Sequence, residues 1–158
     1  MNVYVASSWR NIFHQNVVAE LRGEYGFEVY DFRNPAPGNN GFAWADCDPE
    51  AGLLQRGNVS LDHVPLSIAR YLKMLNHPLA ETGFALDMSA LMAADAVLLV
   101  QPCGRSAHLE LGWAAGVGKW TGVLMLEEIE PELMVKMCSW VGTSLNKAVD
   151  SMWKHFDS

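Results

Sequence analysis

Short apolar runs alternate along this chain with longer stretches whose apolar residues recur every three to four positions. Residues 2–6 (N-V-Y-V-A), 28–32 (E-V-Y-D-F), 96–100, 121–126 (T-G-V-L-M-L) and 138–141 have the length and β-branched or aromatic content of strands. Between them, residues 11–25 place Phe13, Val17 and Leu21 on one helical face and stop before Gly26. Residues 62–76 do the same with Val64, Ile68, Tyr71 and Leu75, with Asp62 as N-cap and Pro65 in the first turn. Pro78 opens a further helix that runs to about residue 94, contains Asp87 and is closed by Asp95. The run 96–100 is stopped by Pro102 and Gly104, after which Leu109, Trp113 and Val117 restart a helical period that ends at Gly118, with Ser106 as its N-cap. Pro131 starts another helix, and residues 144–156 form a terminal amphipathic helix with Leu145, Val149, Met152 and Phe156 facing inward.

Strands alternating with helices imply an α/β protein, a three-layer α/β/α sandwich around a five-stranded parallel sheet. The first strand, helix and strand make one right-handed crossover unit. The expected strand order is 2-1-3-4-5, flavodoxin-like and Rossmann-like, with its switch point between the first and third strands. Two loops therefore face each other there: Ala6 to Arg10 and Pro102 to Ser106. Periodicity is lost between residues 33 and 61, a Gly-, Pro- and Asn-rich segment carrying Phe42 and Trp44. Irregular segments of that length in a compact domain are usually either disordered or functional lids. The two aromatics could stack on a flat ligand, or pin the segment to the core.

Length and composition then narrow the class. With 158 residues, 50% hydrophobic and 18% charged, the chain is expected to be a single domain, residues 1–158, with 33–61 as an irregular active-site loop. A net charge of −7 argues against a nucleic-acid surface. Cys47, Cys103 and Cys138 are an odd set without C-x-x-C spacing, which suits a reducing compartment and neither a disulfide frame nor a zinc site. No apolar run approaches the ~20 residues of a bilayer span, and the first strand runs into polar Ser7, Ser8 and Arg10 rather than a leader peptide. A cytoplasmic protein without a membrane partner is the expectation.

The chemistry concentrates at the predicted switch point. With Ser106 as N-cap, Glu110 lies in the first helical turn, where free N–H groups and the helix dipole favour an ionised carboxylate suited to nucleophilic attack. Arg10, Arg105 and nearby hydroxyls suit a ligand with hydroxyl or phosphate groups. Cys103 lies near the same helix start, a position that lowers thiol pKa. His108 could tune the site or face solvent. Glu110 could also be only a helix-start carboxylate, Asp87 a surface residue, Asp95 a helix-end hydrogen-bonding group and Tyr4 core packing.

The series Asp87, Ala94-Asp95, a strand, then Glu110-Leu111-Gly112-Trp113-Ala114 and Gly118-Lys119 resembles the nucleoside 2-deoxyribosyltransferase family, which includes hydrolases of nucleoside 5'-monophosphates. The opening V-Y-V-A-S-S-W is similar to that family's first strand and loop, and Pro131-Glu132-Leu133-Met134 to a late segment that reaches into a neighbouring subunit's pocket. The resemblance spans the ends and centre of the chain and leaves out residues 33–61.

What it implies is specific. Glu110 would attack the anomeric carbon to give a covalent glycosyl-enzyme, resolved by a second base or by water; a carboxylate suits an oxocarbenium-like transition state and departs readily. Tyr4 would orient Glu110, and Asp87 would protonate the leaving base. No metal or organic cofactor is implied. The partner would be a small-molecule nucleoside or nucleotide, and the protein a homodimer or larger homo-oligomer with shared sites. The family's transferases carry an aspartate six residues before the nucleophile, where this chain has Gly104, followed by Arg105 and Ser106. An arginine gained for an acid favours an anionic ligand, with Ser7, Ser8, Arg10, Arg105 and Ser106 as phosphate contacts. Glu132 argues for a hydroxyl at the sugar's 5' end, with Met134 beside it. Two other readings stand beside a deoxyribosyltransferase-like enzyme: a hydrolase of another N-ribosyl nucleotide (a dinucleotide or signalling nucleotide), and a non-catalytic nucleotide-binding module.

Overall fold

The computed structural model describes residues 1–48 and 67–158. The chain forms two compact units, residues 1–31 with 90–158 and residues 32–89. The first holds a five-stranded sheet, β1 (Asn2–Ala6), β2 (Glu28–Tyr30), β3 (Ala96–Gln101), β4 (Trp120–Met125) and β5 (Trp140–Gly142), in the order 2-1-3-4-5. Every pairing is parallel. Fold class, strand count and order are thus those the alternation of runs implies.

Alternation along the strands sorts the two faces of the sheet. Val3 and Val5 of β1, and Ala96, Leu98 and Val100 of β3, pack in one core with Val17, Val18 and Leu21 of α1 (His14–Gly23) and with Leu145, Ala148, Val149 and Met152 of a C-terminal helix (Leu145–Phe156). The intervening residues Tyr4, Ala6, Val97, Leu99 and Gln101 face the other way and are likewise buried. α5 (Arg105–Gly116) covers that second face with Ala107, Leu111 and Ala114. Trp120 is fully buried, and its ring lies over Gly122, where an added Cβ would come within 2.3 Å of it. That close approach accounts for a glycine inside a central strand.

In the second unit, α2 (Trp44–Cys47) is a single turn inside the otherwise irregular region. It is followed among the described residues by α3 (Ile68–Leu75) and α4 (Pro78–Ala93), whose last four residues belong to the first unit. Ser67 caps α3, its hydroxyl accepting from Arg70 N at 3.3 Å. Asp62, Val64 and Pro65, expected to begin that helix, lie outside the described residues. Arg70 donates to both carboxylate oxygens of Asp48, at 2.5 and 2.7 Å.

Several local expectations need correction. α1 begins at His14 and not at 11, because Asn11 is taken out of the helix: its Nδ2 donates to Val100 O and Pro102 O, and its Oδ1 accepts from Phe13 N. On α3 the inward residue is Met74, while Ile68, Tyr71 and Leu75 are exposed. On α5 the buried stripe is Ala107, Leu111 and Ala114; Leu109 and Val117 face outward. Small residues seat this helix closely on the sheet, and the larger Leu109 had set the wrong phase. After Pro131 the chain forms a 3-10 turn, Leu133–Met137, rather than an α-helix. The C-terminal helix, α6 (Leu145–Phe156), leaves Phe156 exposed at its last turn.

Candidate active site

The crevice at the switch point is built by side chains that tie the β1–α1 and β3–α5 loops together. Ser7 donates its hydroxyl to Val100 O at 2.8 Å, and Asn11, itself buried, bridges Val100 O and Pro102 O at 3.0 and 2.9 Å. Gln101–Pro102 is a cis peptide bond at the end of β3. Ser8 accepts from Arg10 N at 3.2 Å. Ser7 thus gives its proton to the backbone and has none to offer a phosphate, whereas Arg10 is exposed on the loop.

α5 starts one turn's fraction earlier than Ser106 would place it. Gly104 is the N-cap, with an extended backbone (φ −87, ψ 179) and no side-chain cap, so Arg105 is the first helical residue and no acidic residue lies in the first turn. Glu110 is therefore in the second turn, where the helix dipole has largely faded. With ~100° between successive residues, the buried stripe divides the remaining positions into two flanks. Ser106, Glu110 and Trp113 fall on one; Arg105, His108, Gly112 and Ala115 on the other. Glu110 is half-buried and thus not sealed in the core. Tyr4 is fully buried on the sheet face that α5 covers, its ring stacked on Tyr30 at 5.3 Å.

The other flank of α5 faces the segment after β4 across a cavity of about 610 Å³. Arg105, His108, Leu109 and Ala115 line it from the helix, and Glu132, Leu133, Met134 and Met137 from the 3-10 segment. His108, which in sequence could tune the site or face solvent, is a polar hub here: its Nε2 lies 2.5 Å from Glu132 Oε2 and its Nδ1 2.9 Å from Gly104 O. The i, i+4 relation to the N-cap was visible in sequence, but the Glu132 partner, 24 residues on, was not. Glu132 also receives Gln101 Nε2 at 3.5 Å. Cys103 lies 3.7 Å from His108 Nδ1, and burial, with Glu132 and Glu110 nearby, pushes its thiol up to about 12. This overturns the expectation of a lowered thiol pKa: desolvation and two carboxylates outweigh the helix start.

The candidates thus fall into groups. Arg105, Glu132 and Met134 share the cavity, Glu110 and Ser106 share the opposite flank, and Cys103 lies within electrostatic reach of both carboxylates. Asp87 is half-buried on α4 in the second unit. Phe42 and Trp44 belong there too. Phe42 packs edge-on to Trp44 at 4.9 Å and presses on Gly83, where an added Cβ would come within 2.8 Å of it, while Trp44 meets Tyr71 at 6.2 Å. Both rings therefore hold the irregular segment to α3 and α4. Among the described residues no cluster of three or more His, Cys, Asp or Glu side chains is arranged to hold a metal ion, and no helix is long and apolar enough to cross a membrane.

No protein-family model matches the chain, and no curated protein matches it. Solved structures do. A 2-deoxyribosyltransferase from the psychrotolerant bacterium Bacillus psychrosaccharolyticus superposes with a TM-score of 0.56 at 14% identity, covering 93% of this chain and 89% of that one. The chain shares its fold with a 2-deoxyribosyltransferase. A conserved protein from Enterococcus faecalis V583 gives a TM-score of 0.50 at 10% identity over 98% of each chain. The Clostridium botulinum CMP N-glycosidase gives 0.46 at 15% identity over 99% of each. The shared fold thus extends over almost the whole chain.

Proposed function

We propose that this chain is an enzyme of the N-glycosidic bond, cleaving or transferring the sugar of a (deoxy)nucleoside or its 5'-monophosphate through a covalent glycosyl-Glu110 intermediate. The observation that carries this reading is the deoxyribosyltransferase-like fold with a partly accessible glutamate on the helix that leaves the switch-point strand. Glu110 attacks C1' as the C1'–N bond breaks, and the bonding pair leaves with the base, which takes a proton from Asp87. A second base or water then attacks C1' and frees the carboxylate. Tyr4, on the sheet face beneath α5, orients Glu110. Arg10, Arg105 and Ser106 are the anion contacts for a phosphorylated substrate. The chemistry needs no metal or organic cofactor. Met134 and Glu132 belong to a site shared between copies in a homo-oligomer, and the enzyme works in the cytoplasm on free nucleosides or nucleotides.

Incubation with a panel of nucleosides and 5'-monophosphates, followed by chromatography for free base, tests the activity. Glu110→Ala is expected to lower base release by roughly a thousand-fold or more, and intact mass spectrometry of the wild type should detect the glycosyl adduct. Base release by Glu110→Ala at the wild-type rate would sink the nucleophile assignment. Turnover confined to dinucleotides, or ligand binding without turnover, would favour a different N-ribosyl hydrolase or a binding module.

A further inference from the structure

Gln101 closes β3 at the crevice and is only 3% exposed, so its amide must find its partners inside the protein or in a ligand. One end has a partner: Nε2 donates to Glu132 Oε2, a long contact of 3.5 Å. The other end, Oε1, has none among the described residues. Turning the amide over would not cure this, because Oε1 would then face a carboxylate, acceptor against acceptor. Glu132 therefore sets which way the amide points. Glu132 is itself fixed by His108 Nε2 at 2.5 Å, and the other ring nitrogen faces a backbone carbonyl, Gly104 O, at 2.9 Å. Each ring nitrogen thus faces an oxygen, and the ring holds Glu132 in place.

We infer that Gln101 is a specificity-determining residue whose buried amide oxygen accepts a hydrogen bond from a neutral donor of the substrate, with His108 and Glu132 as its positioning residues. This deepens the reading of the chain as an N-glycosidic enzyme and rests on it. The donor is a sugar hydroxyl or an exocyclic amino group of the base. A phosphate is excluded at this point, since its oxygens would meet two acceptors, Oε1 and the Glu132 carboxylate, and any phosphate of the substrate is bound elsewhere. Glu132 and Glu110 both act on the Cys103 thiol, so the amide and the nucleophile border the same β3–α5 loop.

The test pairs Gln101→Met, which keeps volume and removes the amide, with nucleosides lacking single donors: 2'-, 3'- or 5'-deoxy sugars and bases without the exocyclic amine. The wild type should favour the complete substrate over one of these analogues by roughly ten- to a hundred-fold in kcat/KM. Gln101→Met should lose that preference and turn the matching analogue over at the wild-type rate; the analogue involved identifies sugar or base as the source. Glu132→Gln, which frees the amide to turn over, should blunt the same preference. The ligand-free Gln101→Met protein should melt no lower than the wild type, because the lost oxygen was unsatisfied and the lost Nε2 contact to Glu132 was long, at 3.5 Å. Undiminished discrimination in Gln101→Met, or a lower melting temperature with unchanged kcat/KM, overturns the inference and makes Gln101 structural. If the wild type releases no base at all, the N-glycosidic reading fails, and the melts decide separately. A nucleoside-induced rise present in the wild type and missing in Gln101→Met still supports the amide's role, and no rise in the wild type overturns it too.

Discussion

Cys103 shows how a residue's surroundings override its position in the chain. One step before a helix N-cap, a thiol gains from the dipole only if water or a cation helps carry its charge. Here burial is the largest influence, with Glu132 and then Glu110 adding repulsion, and the thiol rises to about 12. Ionisation is thus deferred well beyond the pH range of an ordinary cysteine. Iodoacetamide at pH 8 should label Cys103 at least about a hundred-fold more slowly than a free thiol, with the rate still climbing above pH 10 instead of levelling near 9. Peptide mass spectrometry reads this directly, and unfolding in urea should restore ordinary labelling. Labelling of the folded protein at the free-thiol rate would show that the loop is open to solvent. The residue types of the site were legible in sequence, because Glu110, Arg105 and Glu132 are the groups such chemistry uses. The pairing of Glu132 with His108 was not, since no local rule links positions on a helix and on a later loop.

At the scale of elements, the recognisable series divides into chemistry and scaffolding. Asp95 Oδ2 accepts from Asn2 N at 2.8 Å, and Asp95 N donates to Asn2 O at the same distance, which fastens the entry of β3 to the start of β1. Lys119 Nζ donates to Met92 O at 3.0 Å and Ala94 O at 2.5 Å, covering carbonyls at the end of α4 that no helical N–H reaches. The A-D and G-K parts of the series therefore hold elements in place, and only the E-L-G part carries a candidate nucleophile. Lys119→Met keeps the stem and removes the donor. It should cost about 1 kcal/mol, a fall of roughly 2–4 °C in melting temperature for a chain of this size, with kcat unchanged. A calorimetric scan with parallel kinetics checks both halves, and a loss of kcat at unchanged stability would place Lys119 in the chemistry instead. Strand existence was legible because continuous apolar runs are what a sheet covered on both faces demands. The phase of α5 was not, because alanines at 107 and 114 give little hydrophobic signal although they make the closest seat.

At the scale of the whole molecule, alternation implied a parallel sheet and the flavodoxin-like precedent its strand order, and the sheet has that order. What no local pattern contains is the surface left uncovered once the elements pack. In the first unit Leu109 and Leu133 are each 76% exposed, and Met134 is 63% and Met137 55% exposed, around the cavity flanked by α5 and the 3-10 segment. Single apolar side chains on a surface need no explanation, but a contiguous group of four large ones does. Water is a poor permanent neighbour for them, and unbranched methionines suit a surface that packs against another protein. A second copy of the chain presenting the same patch is the simplest cover, because a twofold interface is self-complementary. Multi-angle light scattering at micromolar concentration should therefore give at least a dimer mass. Leu133→Asp and Met134→Asp should each shift that equilibrium toward monomer, since a charge in the seam loses its hydration without gaining a partner. Both substitutions are on an exposed turn, so the folded monomer should keep its helical circular dichroism. If Glu132 and Met134 serve a shared site, dissociation should also lower base release in step with the monomer fraction. A wild type that is monomeric under these conditions would remove the shared site while leaving the Glu110 chemistry open to its own test.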